Sequence, residues 1–458
     1  MTTGPRSPGR HEGRGRHRAA GPLSVLGSVF VDTAPLRRHR DFRRLWAGQL
    51  VSQAGSQLTL VAVAYQTYRL TGSTAMVGLV SLGQLAPLLL GAVAGGPLVD
   101  AWDRRRVLLL TQLLLGAGSA GLTVNALLTR PAVWPVFAST AGAAAFLGVD
   151  WSARRASLRR LVPAADVPAA LSLQFTATQV TMVIGPAGAG LLIAHAGLAV
   201  VYGLDTASFA VALAAVALLP SLPPTGGGRS PGLSSLLGGI RYLRRSQPLA
   251  GAFVIDLGAM VFGLPRALFP AMAAGVYHGG PAIVGYLNAA PALGGVAGSV
   301  LTGRAGRVRR PGRAVVMCVG LWGAAVAAFG VVRWLPAALA LLGLAGAADV
   351  ISAVFRMTIV QNTTPDSLQG RVNSLVYAGI QGGPRLGDAE AGAAAALGGT
   401  RFAAWSGGLL SIAAAALTSW LLPQLWRYEP GSAAAIPSGQ PPADPAGPAL
   451  PLTVGPSC

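Results

Sequence analysis

Long apolar stretches, separated by short segments rich in Pro, Gly or Arg, dominate the chain. A helix needs about 20 mostly apolar residues to cross a bilayer, and twelve stretches approach or reach that length. Pro, Gly and Arg clusters fall where helices are expected to end. The predicted spans are 45–68, 76–99, 107–128, 132–150, 170–194, 198–219, 249–273, 282–303, 314–332, 335–354, 373–397 and 402–423. The pattern predicts an all-α membrane protein with twelve transmembrane helices.

The longest polar interruption divides these spans into two groups of six. Arg-rich loops follow the second and the eighth span, about 200 residues apart. Internally repeated secondary transporters have this 6+6 organisation. The predicted parts are a disordered Arg-rich tail (1–40), a six-helix half (41–219), a linker (220–247), a second six-helix half (248–425) and a Pro/Ala-rich tail (426–458).

Composition supports the membrane assignment and excludes other classes. Only 11% of the 458 residues are charged and 52% are apolar, whereas soluble domains are about 25% charged. Two cysteines exclude a disulfide scaffold. A net charge of +20 is typical of nucleic-acid binding. All the basic residues are Arg, however, and they lie between apolar runs instead of on one basic face, so no nucleic-acid partner is predicted.

The distribution of arginines predicts the orientation in the membrane. With the N-terminus inside, 29 of the 35 arginines fall in inside segments and four in outside segments. Cytoplasmic segments of membrane proteins carry an excess of Lys and Arg. We therefore expect a multi-pass protein of the cytoplasmic membrane with both termini in the cytoplasm. We also expect a monomer whose basic loops contact anionic lipid.

Polar residues recur on one face of the first span, at i, i+3, i+4, i+7 and i+8. They are Gln49, Ser52, Gln53, Ser56 and Gln57. Lipid does not tolerate such a stripe, so it faces the interior of the bundle. The stripe either lines a wet substrate cavity or forms hydrogen bonds to a neighbouring helix.

Several motifs narrow the family. The loop after the second span reads Gly96-Pro-Leu-Val-Asp100-Ala-Trp-Asp103-Arg104-Arg105-Arg106. The first span begins Phe42-Arg-Arg-Leu-Trp46-Ala-Gly48-Gln49. The fifth span carries Gly185-Pro186-Ala-Gly188-Ala-Gly190, and the eleventh is preceded by Gln361-Asn-Thr-Thr-Pro365-Asp-Ser-Leu-Gln-Gly370-Arg371.

With these motifs the chain resembles the major facilitator superfamily, over residues of about 40–425. Within it, the chain resembles the group that contains the bacterial enterobactin exporter and related drug:proton antiporters. The resemblance implies that the loop from Gly96 to Arg106 holds the cytoplasmic side shut when the outer side is open, and that the fifth-span motif is typical of antiporters. Asp100 is expected to face the start of the eleventh span. The alternative is that the arginines only fix topology.

Ionisable residues inside predicted spans are candidates for chemistry, because charge is costly in hydrocarbon. Asp256 and Arg266 lie on the seventh span. Arg385, Asp388 and Glu390 cluster on the eleventh. The three acids are the predicted proton-coupling residues and the two arginines their charge partners. Asp256 is the first choice, because Arg385 can meet Asp388 at i,i+3 and hold it ionised. The alternative is a static salt bridge that docks the two spans. Two further acids, Asp205 and Asp349, lie near span ends and are assigned structural roles.

No metal-binding, ATP-binding or redox motif occurs in the sequence. The chain is therefore predicted to be a transporter and not an enzyme, without metal or cofactor, driven by a proton gradient. The favoured hypothesis is proton-coupled export of a small amphipathic molecule, either a siderophore or a drug-like compound. A uniporter or importer of the same fold, or a non-transporting membrane sensor, are the alternatives.

Overall fold

A computed structural model describes residues 32–224, 233–263, 265–302 and 308–429. Within these ranges the regular secondary structure is helical, with no strand. Most of the first predicted tail, most of the last, part of the linker and part of the loop after the eighth predicted span lie outside the described residues. The described end of the first tail is helical, and so is the second part of the linker.

The helices before the linker are α1 (Ala34–Arg38), α2 (Arg40–Thr71), α3 (Thr74–Gly83), α4 (Leu85–Ala101), α5 (Arg104–Leu127), α6 (Trp134–Leu161) and α7 (Val167–Ala217). The linker contains α8 (Leu233–Leu243). The helices after it are α9 (Gln247–Phe262), α10 (Phe269–Gly275), α11 (Pro281–Leu301), α12 (Pro311–Val331), α13 (Leu335–Thr363), α14 (Asp366–Leu421) and α15 (Pro423–Trp426).

Eight described helical segments are long and apolar enough to cross a membrane. They are Thr74–Ala101, Arg104–Leu127, Ala164–Ala217, Gln247–Gly275, Pro281–Leu301, Pro311–Val331, Leu335–Thr363 and Leu368–Leu421. A helix satisfies its own backbone hydrogen bonds, which is why such apolar segments are helical in lipid. The chain is therefore a multi-pass, all-helical membrane protein.

Two of these segments, each 54 residues long, exceed what one crossing needs. Each contains one glycine with a non-helical backbone: Gly197 in α7 has φ +84° and Gly399 in α14 has φ +85°. Residues with a side chain rarely adopt this φ, so glycine permits the sharp break. The two breaks coincide with the predicted boundaries between the fifth and sixth spans and between the eleventh and twelfth.

The bundle has two ends, which are named here by what they carry. The linker end holds α8 and the loop between α4 and α5, and the distal end holds the turn between α2 and α3 and the two glycine breaks. The helices before the linker pack mainly among themselves, as do those after it. The main contacts between the two groups join α3 to α14 and α7 to α11.

These contacts between groups are close because small residues form them. A Cβ on Gly78 of α3 would lie 2.4 Å from the carbonyl oxygen of Asp388 in α14. A Cβ on Gly285 of α11 would lie 2.8 Å from Cα of Gly190 in α7. All four positions lie within a few helical turns of the distal end. Closer to the linker end, the rings of Trp151 and Tyr377 stack with their centroids 4.3 Å apart.

Candidate functional site

Asp388 of α14 connects three helical segments through its carboxylate. Ser81 Oγ of α3 donates to Oδ2 at 2.7 Å, and the backbone N–H of Ala267 donates to Oδ1 at 3.1 Å. Ser81 precedes the linker in the chain, whereas Ala267 and Asp388 follow it. The carboxylate therefore links the two groups of helices through a hydrogen bond.

A break in the seventh predicted span makes the Ala267 donor available. After α9 ends at Phe262, Pro265 precedes a short 3-10 turn, Arg266–Leu268, and α10 then resumes the span. The first N–H groups of a helical segment have no partner within the helix. One of these groups, at Ala267, donates to Asp388. The apolar sequence predicted one continuous helix here, and Pro265 was the signal for the break.

Two arginines near Asp388 interact with its charge at a distance and not through an ion pair. Arg266 and Arg385 both interact electrostatically with the Asp388 carboxylate. The predicted contact between Arg385 and Asp388 is not an ion pair in the described chain, because Arg385 Nη1 donates to the carbonyl of Gln381 instead. Glu390 has no hydrogen bond or ion pair to any described residue.

Asp256 has a partner that the sequence did not indicate. Its Oδ1 lies 2.8 Å from Nη2 of Arg356 in α13, and their side chains are 13% and 9% exposed. Arg266 and Arg385 were the predicted charge partners of the three acids; in this structure Asp256 pairs with Arg356 instead. Arg356 lies two residues beyond the predicted span 335–354. The helix continues to Thr363, so Arg356 lies about two turns before its end.

Further groups fix the Arg356 guanidinium. Nη1 donates to Ser352 Oγ at 2.8 Å, and Nη2 lies 3.4 Å from Oδ1 of Asp349. The pair of Asp256 and Arg356 borders a cavity of about 50 Å³ between α9, α13 and α14. The apolar residues around Arg356, such as Phe355 and Ile359, were the sequence signal that the helix continues.

Other buried acids have partners within the first group of helices. Asp205 is 1% exposed and accepts hydrogen bonds from the hydroxyls of Thr59, at 2.7 Å, and Ser119. Asp150 forms an ion pair with Arg154, one turn later on α6, at 2.6 Å. The bonds of Asp205 connect α7 to α2 and α5, neighbouring helices of one group, which agrees with a structural role for Asp205.

The polar stripe on α2 contacts α7. Gln53 Nε2 donates to Thr178 Oγ1 at 3.2 Å, and Gln174 Nε2 donates to Gln49 Oε1 at 3.4 Å. The hydroxyls of Ser52 and Ser56 donate to backbone carbonyls of their own helix. In this conformation, Gln49 and Gln53 form hydrogen bonds to a neighbouring helix, which was the alternative to a substrate cavity, and Ser56 is exposed. Whether the stripe also lines a substrate cavity stays a prediction.

The glycine motif of α7 faces two other helices. Gly185 packs against Cβ of Gln57 in α2, which extends the contact of the polar stripe. Gly190 and the carbonyl of Pro186 contact Gly285 of α11, across the two groups. Gly188 has only an ordinary contact, 3.8 Å from Leu58 Cδ2. The motif therefore lies where the two groups approach each other at the distal end.

The loop between α4 and α5 is attached to the end of α7. Asp103 caps α5 by accepting from the N–H of Arg105 at 2.8 Å, and it also accepts from the hydroxyl of Ser221. Burial raises the pKa of Asp103. The hydrogen bonds from Ser221 and from the backbone at Arg105 and Leu222 outweigh this effect, so that the pKa lies below the usual value.

Two arginines of the same loop contact carbonyls at the end of α7 and beyond it. Arg105 Nη2 donates to Ala217 at 2.6 Å, and Arg104 Nη1 donates to Pro223 at 3.3 Å. Arginine at a helix C-terminus satisfies free carbonyls and complements the helix dipole. These two side chains therefore attach the start of α5 to the end of α7 and to the first residues of the linker. The predicted contact of Asp100 with the start of α14, and gating by Gly96 and Arg106, stay predictions.

Most of the chain is similar in sequence to known proteins. A family model described as "Transmembrane secretion effector" matches residues 31–441. The enterobactin exporter EntS of Escherichia coli O1:K1 / APEC is 31% identical over 373 residues, which cover 81% of this chain and 89% of that protein. EntS of Shigella boydii serotype 4 (strain Sb227) is 30% identical over the same shares.

Solved structures with the same fold have low sequence identity. A POT family transporter in complex with 5-aminolevulinic acid has a TM-score of 0.69 and 11% identity, and covers 84% of this chain and 97% of its own. A bacterial homolog of the human lysosomal transporter Spinster has a TM-score of 0.64 and 13% identity, with 86% and 98% covered. These likenesses concern the fold.

Proposed function

Because this chain belongs to the transmembrane secretion effector family of the major facilitator superfamily, whose members are transporters and not enzymes, we propose that it exports a small amphipathic molecule across the cytoplasmic membrane in exchange for protons. The relatives named enterobactin exporter support an exported small molecule. A siderophore and a drug-like compound are both amphipathic and both fit this class. No cofactor or metal is part of the proposal.

The proposed architecture has twelve spans in two halves of six. Eight segments qualify by length and composition, and a glycine break divides two of them into two helices each. The helices Arg40–Thr71 and Trp134–Leu161 supply the remaining two spans, since 32 and 28 residues are long enough to cross. The matching positions of Gly197 and Gly399 in the two halves support an internal repeat.

Alternating access then means that the halves separate at one end while they meet at the other. The close contacts of Gly78 with Asp388, and of Gly190 with Gly285, support a distal end that is closed in this conformation. Release of a substrate at that end requires these contacts to part. The arginine distribution supports a distal end on the outer side, with both termini in the cytoplasm and basic loops against anionic lipid.

The observation that carries proton coupling is the hydrogen bond from Ser81 to Asp388. When the distal end opens, Ser81 moves away with its half and the carboxylate loses a donor. Loss of a donor to the ionised form makes protonation easier, and the open end lets protons in from outside. Protonation of Asp388 and opening of the distal end are therefore linked.

Asp256 is a weaker candidate for coupling than the sequence suggested. Its ion pair with Arg356 lies within one half, so movement of the halves against each other leaves that pair intact. This geometry favours a docking role for Asp256, with Asp388 as the first choice for the coupling residue. Glu390 stays a third candidate, since its side chain has no described partner.

Transport by inverted membrane vesicles tests the function. A panel of a catecholate siderophore and several lipophilic dyes is offered with and without an imposed pH gradient. We expect accumulation of at least one compound, and only with the gradient. Uptake that ignores the gradient indicates a uniporter. Movement in the opposite direction indicates an importer, and binding without movement of any compound indicates a sensor. Reporter fusions at residues 230 and 440 test whether both positions are cytoplasmic.

A further inference from the structure

A pair of aromatic rings joins the two groups of helices toward the linker end. Trp151 of α6 and Tyr377 of α14 stack with their centroids 4.3 Å apart and their planes at 21° to each other. Trp151 lies ten residues before the end of α6, and Tyr377 lies eleven residues after the start of α14. At about 1.5 Å per residue, both rings are therefore about 15 Å inside the linker end, at the same depth.

The same helix carries the distal contact. Asp388, which accepts a hydrogen bond from Ser81, follows Tyr377 by eleven residues, or about 16 Å along α14. Eleven residues are about three full turns, so both side chains project from one face of the helix, toward the first group. The helix α14 therefore meets the first group at two levels, one toward each end of the bundle.

Residues of the first group fix the position of the Trp151 ring. The preceding residue, Asp150, accepts hydrogen bonds from Thr111 Oγ1 at 2.9 Å and from Gln112 Nε2 at 2.8 Å, both on α5. The guanidinium carbon of Arg155, one turn after Trp151, lies 5.1 Å from the centroid of the ring, which is a cation–π distance. Trp151 is therefore presented to α14 from a backbone that is anchored to α5.

The stack is a small contact that can part at low cost. Trp151 is 39% exposed even in the stack, so the rings are not enclosed in a core. Beyond the area that it buries, such a ring pair changes an equilibrium constant by a factor of about 2 to 10. The distal contacts, in contrast, place helix backbones against each other, as at Gly78 and Gly285. The interface is therefore tight at the distal end and is closed by side chains at the ring pair.

The loop between α4 and α5 has a different set of contacts in this conformation. Arg105 donates to the carbonyl of Ala217 at the end of α7, and Asp103 accepts from Ser221 just beyond it. These two residues of the loop act next to the first group. The stack of Trp151 on Tyr377, in contrast, bridges the two groups.

We propose that Trp151 and Tyr377 form a gate, whose rings must part before a molecule can enter the interface between the halves from the linker end. The inference rests on the proposed function, because a gate has a role only where the halves move. A molecule that is exported enters from the cytoplasm, and the rings lie in its path. This gate is distinct from the loop from Gly96 to Arg106, to which the resemblance assigns closure when the outer side is open.

Access to a thiol deeper in the interface tests the gate without any transport step. A Cβ on Gly382, five residues beyond Tyr377 toward the distal end, would lie 3.2 Å from Leu85 Cδ1 of α4. Leu85→Cys is introduced into the full-length chain with Cys318→Ser and Cys458→Ser, and this parent protein is placed in lipid nanodiscs. The labelling rate of the new thiol by a charged maleimide, which does not enter lipid, measures the access.

Trp151→Ala in this parent is expected to speed labelling at least about threefold, because the closed state loses the stacking energy. Trp134→Ala is the matched control. It makes the same substitution at the other end of the same helix, where the ring is 72% exposed, and it should be labelled at the rate of the parent. Equal rates for a folded Trp151→Ala protein and the parent rule the gate out.

Tyr377 provides independent variants for the case in which Trp151→Ala does not fold. Tyr377→Leu should speed labelling by a similar factor, whereas Tyr377→Phe keeps the ring and should be labelled like the parent. The protein with both Trp151→Ala and Tyr377→Leu should be labelled at about the rate of the faster single variant, because one contact can be lost only once. Factors that multiply in the double variant, or equal acceleration by Tyr377→Phe, contradict the ring contact.

These rates are measured without substrate and without a pH gradient, so they do not depend on export. Faster labelling of both ring variants, in a protein that moves no compound, leaves the gate standing and refutes only the transport function. Export by the wild type, with unchanged labelling in both ring variants, refutes only the gate. The two failures are therefore distinguishable.

Discussion

Ser81 Oγ lies 2.7 Å from Asp388 Oδ2 and donates a hydrogen bond to it. The two residues are 307 positions apart in the chain. Their helices, α3 and α14, belong to different groups and pack against each other. In the same region, a Cβ on Gly78 would be 2.4 Å from the Asp388 carbonyl. One acid therefore takes part in a close contact between the two groups through both its side chain and its backbone.

Asp388→Asn is expected to abolish proton-driven export, because an amide keeps the size of the side chain but does not exchange a proton. Folding and substrate binding should survive, since the amide oxygen can accept from the Ala267 N–H while the amide NH2 donates to Ser81 Oγ. Transport in vesicles with an imposed pH gradient measures the effect. Glu390→Gln makes the same change at the third coupling candidate and should keep most of the activity if Asp388 is the coupling residue; loss of proton-driven export in Glu390→Gln alone would move that role to Glu390. Proton-driven export by Asp388→Asn at the wild-type rate would exclude Asp388 from coupling.

Ser81→Ala should weaken closure of the distal end without loss of folded protein. A hydrogen bond to a charged group contributes about 1.5–3 kcal/mol, so the population with an open distal end should rise by a factor of about 10 to 100. Distances between one spin label at the distal end of α2 and another beside the Gly399 break of α14 report that population. Ser152→Ala removes a hydroxyl that donates only to its own helix and should leave the distances unchanged. An identical shift in both variants would contradict the role of Ser81.

Gly285→Ala is expected to hold the distal end apart. The added Cβ would lie 2.6 Å from the carbonyl oxygen of Pro186 and 2.8 Å from Cα of Gly190, and backbone atoms of a helix cannot give way cheaply. Transport should fall strongly while the protein still inserts. Gly188→Ala is the matched control, because its nearest neighbour, Leu58 Cδ2, lies at 3.8 Å. If Gly285→Ala transports as well as Gly188→Ala, the proposed closing contact is wrong.

Asp103→Ala should lower the free energy of unfolding at neutral pH by about 1 kcal/mol, which is the usual effect of losing a helix N-cap. The pKa of Asp103 is lower in the folded protein than in the unfolded chain. Its stabilising effect is therefore present above the unfolded pKa and is lost as the pH falls through the folded pKa. Thermal unfolding in detergent at pH 7 and below pH 4 should show a difference between wild type and variant that shrinks at the lower pH. A difference that grows on acidification would reverse the assigned sign.

The sequence predicted the helices well, because their main determinant is local. A long apolar stretch in lipid must be helical, and each predicted span overlaps a described helix. Glycine and proline supplied further local signals: Gly197 and Gly399 mark breaks that fell at predicted boundaries, and Pro265 precedes a break that the apolar pattern concealed.

The candidate site was less predictable, since spacing along one helix identifies only partners on that helix. That reasoning predicted a contact of Arg385 with Asp388, whereas Arg385 donates to Gln381. The partners of the two acids come from elsewhere in the chain: Ser81 for Asp388, and Arg356 for Asp256. Such pairs depend on which helices pack together and in which register. Neither can be inferred from the spacing of residues in a single sequence.

Proton movement during transport tests the central claim most directly. Proteoliposomes are loaded with a transported compound and a fluorescent pH indicator, with the membrane potential clamped by potassium and valinomycin and no pH gradient imposed. Exit of the compound should acidify the lumen, because each exported molecule is exchanged for protons, and Asp388→Asn should abolish this signal. Exit of the compound with no change of internal pH, or with a rise, would contradict proton-coupled export.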